Sequence, residues 1–280
     1  MIVFHTAAEL AAWAPGEQRA AVFTMGALHE GHVELMRAAR AALNGEGRVI
    51  VTIFVNPTQF NDPKDLERYP RTPEADLAMC EAAGVDAVFL PSVDEMYPPG
   101  SRVKQVSAGA LGGSLEGASR PGHFDAVATV VRRLIEVTSA DLTCFGEKDY
   151  QQLCVVREMV VEQQLACEVI AVPTVREADG LAKSSRNRLL GEADRVLAAE
   201  LHRALRLVSQ WLSAGTTSDF AVECATAYLE QFEGIDLDYL VVKSTDLTEP
   251  ASAGAARALI AARLGGIRLI DNLAVEVTAK

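Results

Sequence analysis

The sequence predicts an α/β protein: a Rossmann-like, doubly wound parallel sheet followed by a second, smaller α+β domain. Three observations carry this expectation. Short apolar runs alternate with helix-like patterns up to Val172, the rhythm of a parallel sheet with helices on both faces. Arg48–Val55, RVIVTIFV, is β-branched and apolar without alternation, as a strand covered on both faces must be. Beyond Pro173 the rhythm changes to two long helical patterns and then three strand-like runs.

The elements follow in order. Ala20–Met25 is a short apolar strand, and Glu30–Leu43 is a helix with Val33, Met36 and Leu43 on one face. Arg48–Val55 is the second strand. Thr72-Pro73 supplies an N-cap and a first-turn proline for a helix that Gly84 ends. Val85–Leu90 is the third strand. Pro91–Phe124 has no periodicity, and a loop of that length is functional or partly structured. Asp125–Ser139 is helical, Leu142–Phe145 the fourth strand, Tyr150–Gln164 helical and Glu168–Val172 the fifth strand. A polar stretch, READGLAKSSRN, leads to helices Ala193–Ser213 and Asp219–Phe232. The strand-like runs Leu237–Lys243, Ala256–Arg263 and Ile267–Ile270 complete the chain. The expected domains are residues 1–174, holding nucleotide and substrate, and residues 175–280, a smaller C-terminal lid.

Composition narrows the function. The 280 residues are 49% apolar and 23% charged, the balance of a soluble protein with a full core. No run approaches the roughly 18 consecutive apolar residues of a membrane span. The opening MIVFHTAAELAAWAPGE lacks a basic segment and does not read as a signal peptide. The five cysteines (Cys80, Cys144, Cys154, Cys167, Cys224) form no CxxC pair and read as core residues of a reduced cytoplasmic protein. A net charge of −12 argues against nucleic acid, whose binders carry a basic face. A small anion remains compatible, because a few local cations suffice to hold it.

Ligands of open parallel sheets bind beyond the carboxyl ends of the strands. Met25–His32 follows the first strand, Asn56-Pro57-Thr58-Gln59 the second, Gly146-Glu147-Lys148-Asp149 the fourth and Pro173-Thr174-Val175 the fifth. The unusual polar sequence is thus delivered to one rim. His29 and His32 stand three apart at the start of a helix, where unpaired N–H groups and the dipole favour a phosphate. Gly26 and Gly31 let backbone approach a ligand. Read from the residues alone, the histidines are phosphate donors, capping or core residues, or half of a metal site that no Cys or further His completes.

The segments TMGALHEGH, VNPTQF, YPRTPEADL, EGASRPGHF, FGEKDYQQL, SSRN and ARLGGIRLIDN, in this order, resemble the pantothenate synthetase (pantoate–β-alanine ligase) family. That family belongs to the HxGH nucleotidylyltransferases, and the likeness spans essentially the whole chain. It implies that pantoate and ATP form pantoyl adenylate and pyrophosphate, and that the amine of β-alanine then displaces AMP. By position, the resemblance implies ATP contacts from Met25, Gly26, Ala27, Leu28, His29, Glu30, Gly31 and His32, with His32 the proton donor. It adds Gly146, Glu147, Lys148 on phosphate, Asp149 on ribose, Val175, Lys183, and Ser184, Ser185 and Arg186 on the triphosphate. His32, His29, Lys148 and Arg186 are the implied catalytic set, and Gln59 and Gln152 the implied pantoate amides.

Each assignment has a plainer counterpart. Lys148 is otherwise a solvated lysine, Asp149 a helix cap, Ser184-Ser185 an N-cap cluster, and Gln59 a solvated loop residue. Arg120 and His123, in the long loop, either contact the ligand or serve structure and gating. Two positions depart from the family pattern: Phe23 stands for the usual proline and Lys183 for the usual methionine, which bears on affinity. The resemblance further implies Mg²⁺ with ATP, for which Asp76 is the one weak protein candidate, and a homodimer through the larger domain. The alternatives are another small-molecule nucleotidylyltransferase and a catalytically inactive nucleotide-binding regulator. Acidity and the lack of an anticodon-binding region disfavour a tRNA synthetase.

Overall fold

Nine strands form two sheets in the computed structural model, which describes residues 1–61, 63–100, 103–251 and 253–278. The first sheet contains β1 (Ile2–Phe4), β2 (Arg19–Thr24), β3 (Arg48–Ile53), β4 (Ala87–Phe89), β5 (Leu142–Gly146) and β6 (Glu168–Val172). Their order is β1-β4-β3-β2-β5-β6, all neighbours parallel. This is the doubly wound sheet that the alternating pattern predicts. The five expected strands are present, and β1 adds a sixth. It was hidden in a segment too short for periodicity, together with a helix at Ala7–Ala12. The helix start is fixed by a capping box, with Thr6 and Glu9 each accepting the other's backbone N–H.

Burial explains the two central strands. Ala20, Val22, Val49 and Val51 join Leu28 of the following turn and Met36 and Ala39 of the helix after it in one apolar core. The chain leaves β2 toward β3 on one side, whereas β5 lies on the other, so the topological switch falls between β2 and β5. Their ladder is short. Register pairs join Ala20 to Leu142 and Ala21 to Thr143, while β2–β3 pairing continues to Thr24 and Ile53. The two strands therefore part toward their carboxyl ends. The rings of Phe23 and Phe145 stand there in a T-shaped contact at 6.2 Å, which gives the departure at Phe23 a packing role.

The long segment after Pro91 is partly structured, with short helical turns at Val93–Met96, Gly109–Gly113 and Glu116–Ser119. Gln151 anchors it: its Oε1 accepts from the Glu116 N–H, and its Nε2 donates to the carbonyls of Leu111 and Ser114.

Chain contacts divide the molecule into two units, residues 1–146 with 151–173, and residues 147–150 with 174–280. Glu147–Tyr150 thus groups with the second unit, where the sequence reading put it in the first. In the second unit β7 (Asp236–Ser244), β8 (Gly254–Leu264) and β9 (Ile267–Val277) form an antiparallel sheet with its own apolar core. Helices Glu192–Ser213 and Ser218–Leu229 contribute Leu201, Leu205, Leu212, Ala225 and Leu229 to that core. Gly265-Gly266, both at positive φ, make the tight β8–β9 turn. Strand β9 runs seven residues past the expected end at Ile270, to Val277. The reason is Asp271-Asn272, a polar pair that breaks the apolar pattern but lies buried within the strand.

Candidate functional site

In the first unit, the turn after β2 is held by one carboxylate. Asp76, 2% exposed, accepts the N–H groups of Ala27 at 3.0 Å and Leu28 at 2.8 Å, and the Thr72 hydroxyl at 3.1 Å. Gly26 and Ala27 are both left-handed, with φ of 81° and 50°. A Cβ on Gly26 would meet Asp76 Oδ2 at 3.0 Å and Ile53 at 3.3 Å, so glycine is required by conformation and by space. Asp76 is therefore a poor metal candidate, because both its oxygens already serve N–H and hydroxyl donors. Among the described residues no group of three His, Cys, Asp or Glu side chains could hold a metal ion.

The histidine pair forms its own cap. His29 is the N-cap of helix Glu30–Ala42. Its Nδ1 accepts from the Gly31 N–H at 3.1 Å, and the His29 N–H donates to His32 Nδ1 at 3.2 Å. This corrects the expectation of an open helix start. The N–H of Gly31 is spent on His29 Nδ1 and those of His32 and Val33 on the His29 carbonyl, while those of Ala27 and Leu28 go to Asp76. With both Nδ1 atoms accepting, the hydrogen-bond pattern assigns the ring proton of each to Nε2, whose N–H becomes the donor the ring presents. The rings lie 4.1 Å apart at 44°. Gly31 permits this, since a Cβ there would sit 2.9 Å from His29 Cε1.

Beyond β3, Gln59 is buried in an oriented network. Its Oε1 accepts from Asn56 Nδ2 at 3.2 Å, and its Nε2 donates to Met25 Sδ at 2.9 Å. Asn56 Oδ1 in turn accepts from the Tyr97 hydroxyl at 2.9 Å. Arg120 and His123 converge on the same residue, Arg120 Nη2 at 3.2 Å and His123 Nδ1 at 3.0 Å from the Gln59 carbonyl. Gln152 is half-buried in the first turn of helix Tyr150–Glu162, one residue from the loop anchor Gln151. Burial pushes the Cys80 and Cys144 thiols up to about 12 and Cys167 to about 11, as core thiols require.

In the second unit, a cavity is lined by Lys148, Ser184, Arg186, Asn187, Arg268 and Asp271, among others. It gathers three cations from the turn after β5, the turn at Ser185–Leu189 and strand β9. Lys148 Nζ lies 3.4 Å from Asp149 Oδ1. Ser184 caps its own turn, accepting the Arg186 N–H at 3.3 Å, while Arg186 is exposed. Glu147 pairs with Arg257 at 3.3 Å. Val175 and Lys183 face each other, the Lys183 N–H donating to the Val175 carbonyl at 2.9 Å. Lys183 Nζ is 3.8 Å from Glu177. Burial opposes the charge on Asp271, yet the adjacent His202 ring and the paired hydrogen bonds from Arg176 hold its carboxyl below the usual carboxylate range.

Sequence reasoning missed Asp76 as the loop anchor, Arg268 as a cavity cation, and Gln151. Asp76 acts across 48 and 49 residues, with no local signal. Arg268 does carry one, a lone cation in an otherwise apolar strand run.

Fold and motif place the chain among α/β proteins with an HxGH segment at a topological switch point. The family model described as pantoate–β-alanine ligase matches residues 2–274. A pantothenate synthetase from Nocardioides sp. is 50% identical, the match covering 97% of this chain and 84% of the relative. The crystal structure of pantothenate synthetase from Thermus thermophilus superposes with a TM-score of 0.91 at 43% identity, covering 98% of this chain and 99% of that one. Pantoate–β-alanine ligase from Francisella tularensis, crystallised with β,γ-ATP and β-alanine, gives a TM-score of 0.79 at 31% identity, covering 98% and 97%. The chain belongs to the pantoate–β-alanine ligase family.

Proposed function

We propose that the chain condenses pantoate with β-alanine at the expense of ATP, through a pantoyl adenylate. The observation that carries the reading is the histidine cap, two rings whose Nδ1 atoms are committed to backbone and whose Nε2–H donors lie at the β2 end of the switch point. A pantoate carboxylate oxygen bonds to the α-phosphorus while the bond to the bridging oxygen breaks and pyrophosphate leaves. The amine of β-alanine then bonds to the acyl carbon, loses a proton, and AMP departs with the former carboxylate oxygen. No protein nucleophile is needed. The protein supplies alignment and charge stabilisation.

His29 and His32 donate to phosphate oxygens. Lys148, Ser184, Ser185 and Arg186 are proposed to contact the triphosphate, and Asp149 to accept from the ribose. The cations grouped in the second unit's cavity support this. Because the N–H groups of Ala27 and Leu28 belong to Asp76, and Leu28 is a core side chain, these two residues contribute shape rather than donors. Mg²⁺ is proposed as part of the substrate, carried by the ATP phosphates. A cytoplasmic setting is supported by five free cysteines, and a homodimer by family resemblance alone.

The test is pyrophosphate exchange. Labelled pyrophosphate is expected to enter ATP in the presence of pantoate and Mg²⁺ without β-alanine, and omission of pantoate is expected to abolish exchange. A strict requirement for β-alanine would overturn the adenylate route.

Gln59 is proposed to recognise pantoate, because its amide is buried and already oriented. Gln59→Ala is expected to weaken pantoate binding by about 1–3 kcal/mol, leaving ATP affinity unchanged. Separate titrations of the two substrates check this, and equal loss for both would remove Gln59 from the pantoate site.

A further inference from the structure

The two polar residues that interrupt β9 are buried, Asp271 at 5% and Asn272 at 3% exposure. Their partners fall on the turn that carries Lys148 and on the segment that leads to Arg186. Asn272 Nδ2 donates to the carbonyls of Glu147 at 2.8 Å and Lys148 at 2.9 Å. Its Oδ1 accepts from Arg257 Nη1 at 3.2 Å, which fixes the orientation of the amide. Arg257 lies 3.8 Å over the Tyr150 ring and reaches the Glu147 carboxylate, so the whole turn at 147–150 is gripped from β8 and β9.

Asp271 grips the other segment. It binds Arg176 through two parallel bonds, Nη1 to Oδ2 at 2.7 Å and Nη2 to Oδ1 at 3.0 Å. Arg176 also donates to the Gly180 carbonyl and pairs across a bridge with Ala182, closing the hairpin that leads into Ser184–Arg186. His202 flanks the carboxylate, its Nδ1 3.6 Å from Oδ2. The grips are joined, since the Asn272 N–H donates to Asp271 Oδ1 at 2.7 Å.

Stability alone does not explain this arrangement. A buried ion pair contributes little net stability compared with well-packed apolar residues of the same volume. Position does explain it, because a displacement of about 1 Å in a charge-stabilising group costs roughly a hundredfold in rate. We infer that Asp271 and Asn272 are positioning residues for the nucleotide chemistry, Asn272 setting Lys148 and Asp271, through Arg176, setting the segment that bears Ser184 and Arg186. The inference rests on the proposed phosphate roles of Lys148 and Arg186.

Double-mutant cycles on pyrophosphate exchange test it. Asn272→Asp is isosteric but turns an oxygen toward two carbonyls, and is expected to lower the exchange rate by about tenfold or more. The KM for pantoate should stay within about twofold, as pantoate is assigned to the other unit. In a Lys148→Ala background the same substitution is expected to cost less than about twofold, because there is no longer an ammonium to misplace. Asp271→Asn against Arg186→Ala makes the parallel cycle, and decides alone if Asn272→Asp does not fold. If Lys148→Ala and Arg186→Ala exchange like the parent chain, the phosphate reading fails and the inference with it. If those variants are impaired but the β9 substitutions are silent, or lose the same factor in both backgrounds, the phosphate reading stands and positioning is overturned.

Discussion

His32→Ala is expected to lower kcat by roughly 10²–10³, the range for removing one preorganised donor from a site of developing charge. Geometry adds a second, separable effect. His32 Nδ1 accepts the His29 N–H, so the alanine variant also loses half of the histidine cap. A lost cap costs about 1 kcal/mol, a shift of roughly 2–4 °C in Tm for a domain of this size. Two isosteric replacements pull the effects apart. In His32→Asn the amide oxygen falls near the place of Nδ1, so the cap and the Tm are expected to recover while turnover stays low. In His32→Gln the amide nitrogen approximates Nε2, so turnover is expected to recover in part without the cap. The measurements are melting curves and initial rates on the three variants. Recovery of turnover by Asn but not by Gln would show that His32 acts only as a cap.

The sequence carried the sheet well because its signals are local. RVIVTIFV is β-branched and apolar throughout, as expected of a strand covered on both faces, and the glycines and histidines of TMGALHEGH mark a turn entering a helix. What escaped was non-local. Strand β1 has three residues, too few for a period, and exists because it adds to β4 at the sheet edge. The end of β9 was lost because Asp271-Asn272 looks like a loop until its buried partners, from Glu147 to Arg176, are known. The open helix start was expected from general helix chemistry. It gave way to the capping reading that the residues also left open, because the motif's own imidazoles take part in the cap. Distance hid Asp76 as an anchor: its N–H partners lie 48 and 49 residues away, and the sequence offered it only as a weak Mg²⁺ candidate.

Asp76→Asn is expected to destabilise the first unit by roughly 2–4 kcal/mol, because two charge-assisted bonds to buried N–H groups are weakened or lost. That corresponds to a fall of about 5–15 °C in Tm. The amide has one oxygen and one NH₂ group where the carboxylate has two acceptors, so one of Ala27 N–H and Leu28 N–H must confront another donor. The turn they close holds Gly26 and Ala27 in left-handed conformations, which for Ala27 costs on the order of 1–2 kcal/mol and persists only while the carboxylate fixes it. Released, the turn shifts the entry to helix Glu30–Ala42 and with it the histidine pair. Turnover is therefore expected to drop about a hundredfold even well below the melting temperature. Thr72→Val provides the control, since it removes only the hydroxyl bond to Asp76 and should cost about 1 kcal/mol with turnover intact. Magnesium distinguishes this role from the one the sequence suggested. A carboxylate that ligates Mg²⁺ leaves, on mutation, a defect that added Mg²⁺ offsets, whereas a carboxylate that anchors a turn leaves a defect indifferent to it. Titrating Mg²⁺ into Asp76→Asn under saturating ATP and pantoate is expected to leave the rate low throughout, and recovery toward the parent rate would return Asp76 to the metal.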